Sequence, residues 1–189
     1  KEIDLNSGFA EAVIFTGGEP CLQRPQLIEL AKQCREKKIK IGIETNGSKP
    51  EVLHSLLKEN LLDFIALDIK TPFNEELFER LTKSRTFFIT TNQVIQNLKA
   101  TIELLIENKD KLEIEIRTTI IPSLLYRKED ILEIANIVNQ LNARWVFQKF
   151  DNMAELASKN LQSINPPSLS FLEDIKEACI KQYPQLRIE

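Results

Sequence analysis

The residues best equipped for chemistry gather where apolar runs stop. Ala12-Val13-Ile14-Phe15, which reads as a buried strand, runs through Thr16 straight into Gly17-Gly18-Glu19-Pro20, two glycines, a carboxylate and a proline in succession. Glycines at such a point let a ligand approach the backbone closely. Pro20 fixes the exit of the turn and suits the start of a helix. A tight connection would use the same residues, so the other run ends carry the decision. They are equally polar. Residues 40–45 run out into Glu44-Thr45-Asn46-Gly47, and residues 63–70 end in Asp68-Ile69-Lys70. Residues 112–121 carry Arg117-Thr118-Thr119, and residues 144–150 lead through Gln148-Lys149-Phe150 to Asp151.

These ends need elements to hold them. Strand-like runs at 12–15, 40–45, 63–70, 86–89, 112–121 and 144–150 alternate with amphipathic helical runs at 24–37, 50–59, 75–81, 90–108, 128–141 and 169–183. Residues 1–10 read as the end of a helix, and Thr90-x-x-Gln93 has the spacing of a capping box. Such alternation implies right-handed βαβ units and a parallel sheet. The expected fold is α/β, an incomplete (β/α) barrel of about five to six parallel strands, with a doubly wound sheet as the second choice. Both place ligands at the carboxyl ends of the strands. An antiparallel sheet with one solvated face is the alternative that needs no function.

Within a strand, side chains alternate between faces. Ile65, Leu67 and Ile69 share one face, and Ala66, Asp68 and Lys70 the other. Ile41 and Ile43 oppose Gly42 and Glu44; Ile114, Ile116 and Ile120 oppose Glu113, Glu115, Arg117 and Thr119. One face is therefore apolar and helix-covered, while the other lines a wet or ligand-filled interior. In a wrapped parallel sheet Glu44, Asp68, Lys70 and Arg117 become partly buried charges, which are costly unless they pair with one another or bind something.

The bulk properties narrow the classes. The chain has 189 residues and a net charge of −3, with no basic patch, so a nucleic-acid backbone is not its partner. Its apolar runs are short and broken by charges, so no membrane span is expected. Cys21, Cys34 and Cys179 are odd in number and lack any pattern, as in a reducing cytoplasm. Cys34 and Cys179 fall on apolar helix faces, Cys21 has no base spaced to activate it, and His54 lies in a helix. No Cys or His cluster has metal-ligand spacing. The expectation is one domain over residues 1–189, incomplete at its N-terminus because Lys1 lies so close to the first strand.

Taken in order, Phe15-Thr16-Gly17-Gly18-Glu19-Pro20-Cys21-Leu22-Gln23, Glu44-Thr45-Asn46-Gly47-Ser48, Ala66-Leu67-Asp68-Ile69-Lys70 and Ile116-Arg117-Thr118-Thr119 resemble the radical S-adenosylmethionine (SAM) superfamily. Among its members they look most like the glycyl-radical-enzyme activases. Asn165-Pro166-Pro167-Ser168 and Leu186-Arg187 resemble those of anaerobic ribonucleoside-triphosphate reductase activating proteins in particular. The resemblance implies that Gly17, Gly18 and Glu19, set by Pro20, offer main-chain oxygens to the amino group of SAM. It gives Asp68 and Lys70 to the ribose and carboxylate region, Arg117 to the methionine carboxylate, and Glu44 and Asn46 to the same cofactor-binding rim. Glu44, Thr45, the Ala66 carbonyl and Asp68 would form a monovalent-cation site. Relatives carry a His after the last strand; here Asp151 or Asn152 stands there, so no SAM contact is assigned to that loop.

The chemistry implied is reductive cleavage of SAM to a 5′-deoxyadenosyl radical, which takes a hydrogen from a glycine of a partner enzyme. The electron would come from a 4Fe–4S cluster on a CxxxCxxC loop, which this chain does not contain and whose place in relatives is upstream of the Gly-Gly turn. No catalytic residue is therefore assigned within the chain. The implied partners are an anaerobic ribonucleotide reductase-like glycyl radical enzyme and an electron donor such as flavodoxin or ferredoxin. A 7-carboxy-7-deazaguanine synthase-like enzyme, which shares two of the motifs, and a cluster-less binding or scaffold domain are the alternatives.

Overall fold

The computed structural model describes residues 8–152 and 159–189. Six strands form one sheet in the order β1(Ala12–Phe15), β2(Lys40–Thr45), β3(Phe64–Asp68), β4(Glu113–Ile120), β5(Arg144–Lys149), β6(Arg187–Ile188). The pairs β1–β2, β2–β3 and β5–β6 are parallel, which removes the antiparallel alternative. A strand order that simply follows the chain never reverses, so the sheet has no switch point of the doubly wound kind. The helices are α1(Arg24–Glu36), α2(Pro50–Lys58), α3(Glu75–Thr82), α4(Thr91–Asn108), α5(Lys128–Val138), α6(Lys159–Gln162) and α7(Leu169–Gln182).

The chain divides into two compact units, Lys1–Asp68 with Gln93–Glu115 and Ile69–Asn92 with Ile116–Glu189. In the first unit, α1 buries Leu27, Ala31 and Cys34, a stripe at helical spacing behind Pro25. α2 begins at Pro50 and buries Val52, Leu53 and Leu56. These apolar stripes join Ile41, Ile43, Ile65 and Leu67 of the sheet, each 1% exposed or less. At the amino ends of the strands Asp63 takes two hydrogen bonds from the Arg35 guanidinium, at 2.9 and 3.2 Å, and one from Ile41 N at 2.8 Å. That clamp sets β2 against β3 and α1.

In the second unit α3 is capped by Asn74, whose side chain accepts from Leu77 N, and it closes at Lys83 in the left-handed region. Trp145 of β5 is wholly buried, with Ile120 of β4 and Ile131, Ile134 and Ala135 of α5. The α7 helix is capped by Ser168 and buries Ile175 and Cys179.

Several expectations need correction. β1 is not buried: among the described strands it pairs with β2 alone, and Ile14 is 49% exposed. Residues 86–89 form no strand. Thr86 turns its hydroxyl back to accept from Phe88 N and Ile89 N, and Thr86 N donates to Ile89 O, so local bonds replace a strand partner. Two short elements, α6 and β6, were not expected. The expected helix end at 1–10 falls mostly outside the described residues.

Candidate functional site

The β1–β2–β3 register sorts the first unit's polar face into layers. Ile14, Gly42 and Phe64 lie side by side, and the next layer brings Glu44 beside Ala66. Thr16, one step past the last β1 pair, joins that layer, and its hydroxyl donates to a Glu44 carboxylate oxygen at 2.7 Å. Asp68 follows at the end of β3, half-buried like Glu44. The first layer is not an open interior. A Cβ on Gly42 would meet Phe64 at 3.0 Å and Ile14 at 3.2 Å, so these two side chains close over the glycine.

The Gly-Gly turn is built by Glu19. Its carboxylate accepts from Cys21 N at 3.1 Å, from the Thr45 hydroxyl at 2.8 Å and from Asn46 N at 2.9 Å. The bond to Cys21 N caps a single 3-10 turn over Pro20–Gln23. The bonds to Thr45 and Asn46 tie the β1 end to the β2 end. Thr45 faces opposite to Glu44, with Ile41 and Ile43, so the Glu19 side chain is drawn to the helix side and its main chain remains at the turn. Gly17 sits at φ +133°, a conformation strained for a side-chain-bearing residue. A Cβ on Gly17 or Gly18 would meet nothing within 4 Å, so the turn leaves open space directly over its backbone.

The β2 end is pinned from α4. Thr101 donates to Gly47 O at 2.8 Å and Asn97 to Ser48 O at 3.0 Å, while Gly47 N donates to the Thr45 hydroxyl at 3.1 Å. The Thr45 hydroxyl is thus committed to Glu19 and Gly47, which leaves only its carbonyl for the expected cation site. Cys21, against Thr45 and 2% exposed, has its thiol pushed up to about 12 by burial and then by the neighbouring Glu19 charge. It stays a neutral thiol, as expected of a filler. Burial also pushes Cys179 up to about 11, the nearby Lys128 working against it, and raises Cys34.

In the second unit, Ile69 N donates to Arg117 O at 2.9 Å, and the Thr118 hydroxyl donates to Ile69 O at 2.8 Å while accepting from the Trp145 indole at 3.0 Å. The segments carrying Lys70 and Arg117 are therefore fastened side by side through buried main-chain and hydroxyl groups. Arg117 is half-buried, as expected; Lys70, two residues past the end of β3, is exposed between the buried Ile69 and Thr71.

The sequence reading nominated the glycines and the charges but missed Thr16 as the partner of Glu44, and it missed the pins from Asn97 and Thr101. Alternation puts Thr16 on the face of Ile14, but its pairing with Glu44 follows only from the β1–β2 register that the structure supplies. Nothing local could have found the pins, which join residues 49 and 54 positions apart.

The sequence profile of the radical SAM superfamily matches residues 1–141. The chain belongs to that superfamily. A protein of Methanocaldococcus jannaschii described as a "Putative glycyl-radical enzyme activating enzyme" is 32% identical over 148 residues, 78% of this chain and 58% of that protein. The pyruvate formate-lyase-activating enzyme of Clostridium pasteurianum is 29% identical over 130 residues, 68% of this chain and 48% of that one. The chain thus spans about half the length of these curated relatives. The crystal structure of a domain of pyruvate-formate lyase-activating enzyme from Bacteroides vulgatus has the same fold, with a TM-score of 0.69 at 15% identity over 95% of this chain and 98% of that one.

The open space over Gly17 and Gly18, with the half-buried Glu44 and Asp68 carboxylates at strand ends of the same unit, fits an ammonium group such as that of the cofactor that gives this superfamily its name. An iron–sulfur cluster does not fit the described residues. Cys21, Cys34 and Cys179 are buried, and among the described residues no group of three His, Cys, Asp or Glu could hold a metal ion. Among those residues, no helix is long and apolar enough to cross a membrane.

Proposed function

We propose that this chain is the SAM-binding part of a radical SAM activating enzyme whose reaction leaves a glycyl radical on a partner enzyme. The observation that carries the reading is the Gly17-Gly18 turn, open above its backbone while Glu19 is tied back to Thr45 and Asn46. Such a turn offers carbonyls to an ammonium group and keeps side chains out of its way. Gly17, Gly18 and Glu19 hold the amino group of SAM through main-chain oxygens. Asp68 and Lys70 take the ribose and carboxylate region, Arg117 the methionine carboxylate, and Glu44 and Asn46 complete the rim. A monovalent cation would take its oxygens from Glu44, Asp68 and the carbonyls of Thr45 and Ala66. When bound, SAM supplies a carbon–sulfur bond that a single electron can break.

The similarity to activating enzymes supports a glycyl radical enzyme as the partner; the Asn165-Pro166-Pro167-Ser168 and Leu186-Arg187 motifs make an anaerobic ribonucleotide reductase our favoured type, with flavodoxin or ferredoxin as electron donor. The test uses the protein expressed from its complete gene, incubated anaerobically with SAM, a one-electron reductant and the anaerobic ribonucleotide reductase of the same organism. A glycyl radical doublet on the reductase in electron paramagnetic resonance is the expected result. SAM consumption without that signal would overturn the activase reading.

A further inference from the structure

The loop joining α3 to α4 holds two phenylalanines out in water. Phe87 is 95% exposed and Phe88 86%, with ring centroids 5.1 Å apart and planes at 84°. Leu22 and Leu169 are also exposed but have no exposed apolar neighbour in sequence, and Ile14 and Leu30 share one recess. In this loop the exposure is built in. The Glu79 carboxylate accepts from Ser84 Oγ at 3.3 Å, from Arg85 N at 3.0 Å and from the Thr91 hydroxyl, gathering both ends of the loop. Thr86 then folds the tip with bonds to Phe88 N, Ile89 N and Ile89 O. Basic side chains gather here as well: Arg80, Lys83 and Arg85 precede the tip, against the single carboxylate of Glu79 tied into the loop's base.

We infer that this loop is the docking element for the partner protein, and that the partner surface is an apolar pocket rimmed by carboxylates. The inference rests on the activase reading, which makes the partner a glycyl radical enzyme. A pre-folded loop presenting two edge-to-face rings suits a shaped pocket, because ordering is complete before contact and aromatic anchors dominate protein interfaces. A fluid lipid surface would gain nothing from that order, and two rings bury little area for a membrane anchor. Lys83 and Arg85 at the rim steer the encounter with an acidic surface.

The experiment measures binding of the anaerobic ribonucleotide reductase of the same organism by biolayer interferometry, with the protein from its complete gene. Phe87→Ser combined with Phe88→Ser should weaken binding about 30-fold or more, the scale of interface hot spots. Lys83→Glu with Arg85→Glu should slow association about tenfold and flatten its salt dependence. The serine variant should retain the melting temperature of the parent, and both variants its SAM affinity. Equal reductase binding by parent and double-serine variant would overturn the loop assignment and leave the activase reading standing. No binding by the parent would overturn both. Binding of vesicles of phosphatidylglycerol and phosphatidylcholine, or self-association, lost in the serine variant while reductase binding persists, would also overturn it.

Discussion

Glu19 shows how one side chain can serve a site without touching a ligand. Its carboxylate takes three hydrogen bonds that join two strand ends. A glutamine there keeps one acceptor oxygen and turns an amide toward donors. Glu19→Gln should therefore cost about 1.5–3 kcal/mol of stability, read as a lower midpoint in urea at unchanged slope. Cys21 makes the converse point about reactivity. Its thiol, raised from an ordinary 9.0 to about 12, should escape iodoacetamide at pH 8 in the folded protein and react once the chain is unfolded, as mass spectrometry would show. The sign for stability follows from the same shift. The fold prefers the neutral thiol, so this contribution is complete below about pH 9 and is lost as the pH rises toward 12. Replacing Cys21 with Ser should flatten that alkaline decline in urea titrations run from pH 8 to pH 11.

At the scale of elements, the site depends on loops held by neighbours. Gly47 has φ +72°, and a Cβ there would come within 2.8 Å of both Leu67 and Leu98. Gly47→Ala should destabilise the protein by about 2 kcal/mol or more through backbone strain and overpacking, seen as a fall in melting temperature. Strand and helix limits were largely legible in the sequence. The alternating run 40–45 closed by Asn46-Gly47 coincides with β2, and the α1 and α2 stripes follow from helical spacing. Thr86-Phe87-Phe88-Ile89 has the composition of a strand but not a partner, and composition carries no pairing information. The two residues of β6 are too few to show a period. The exposure of β1 depends on which strands flank it, a property of the sheet and not of the run.

At the scale of the molecule, strands in sequential order and the match to radical SAM proteins agree on one architecture. The polar strand ends were legible because such a sheet concentrates ligand contacts there. What stayed hidden was the wiring: Thr16 to Glu44, Glu19 to Asn46, Thr101 to Gly47 and Trp145 to Thr118, all between segments far apart in the chain. That wiring positions the groups assigned to the cofactor. The central claim is that these strand ends bind SAM, and anaerobic isothermal titration of SAM into the protein tests it most directly. Lys70→Ala and Arg117→Ala should each weaken binding by about 1–3 kcal/mol, the value of a lost charged hydrogen bond. Unchanged affinity in both variants would mean that Lys70 and Arg117 do not hold the cofactor, and would contradict the account.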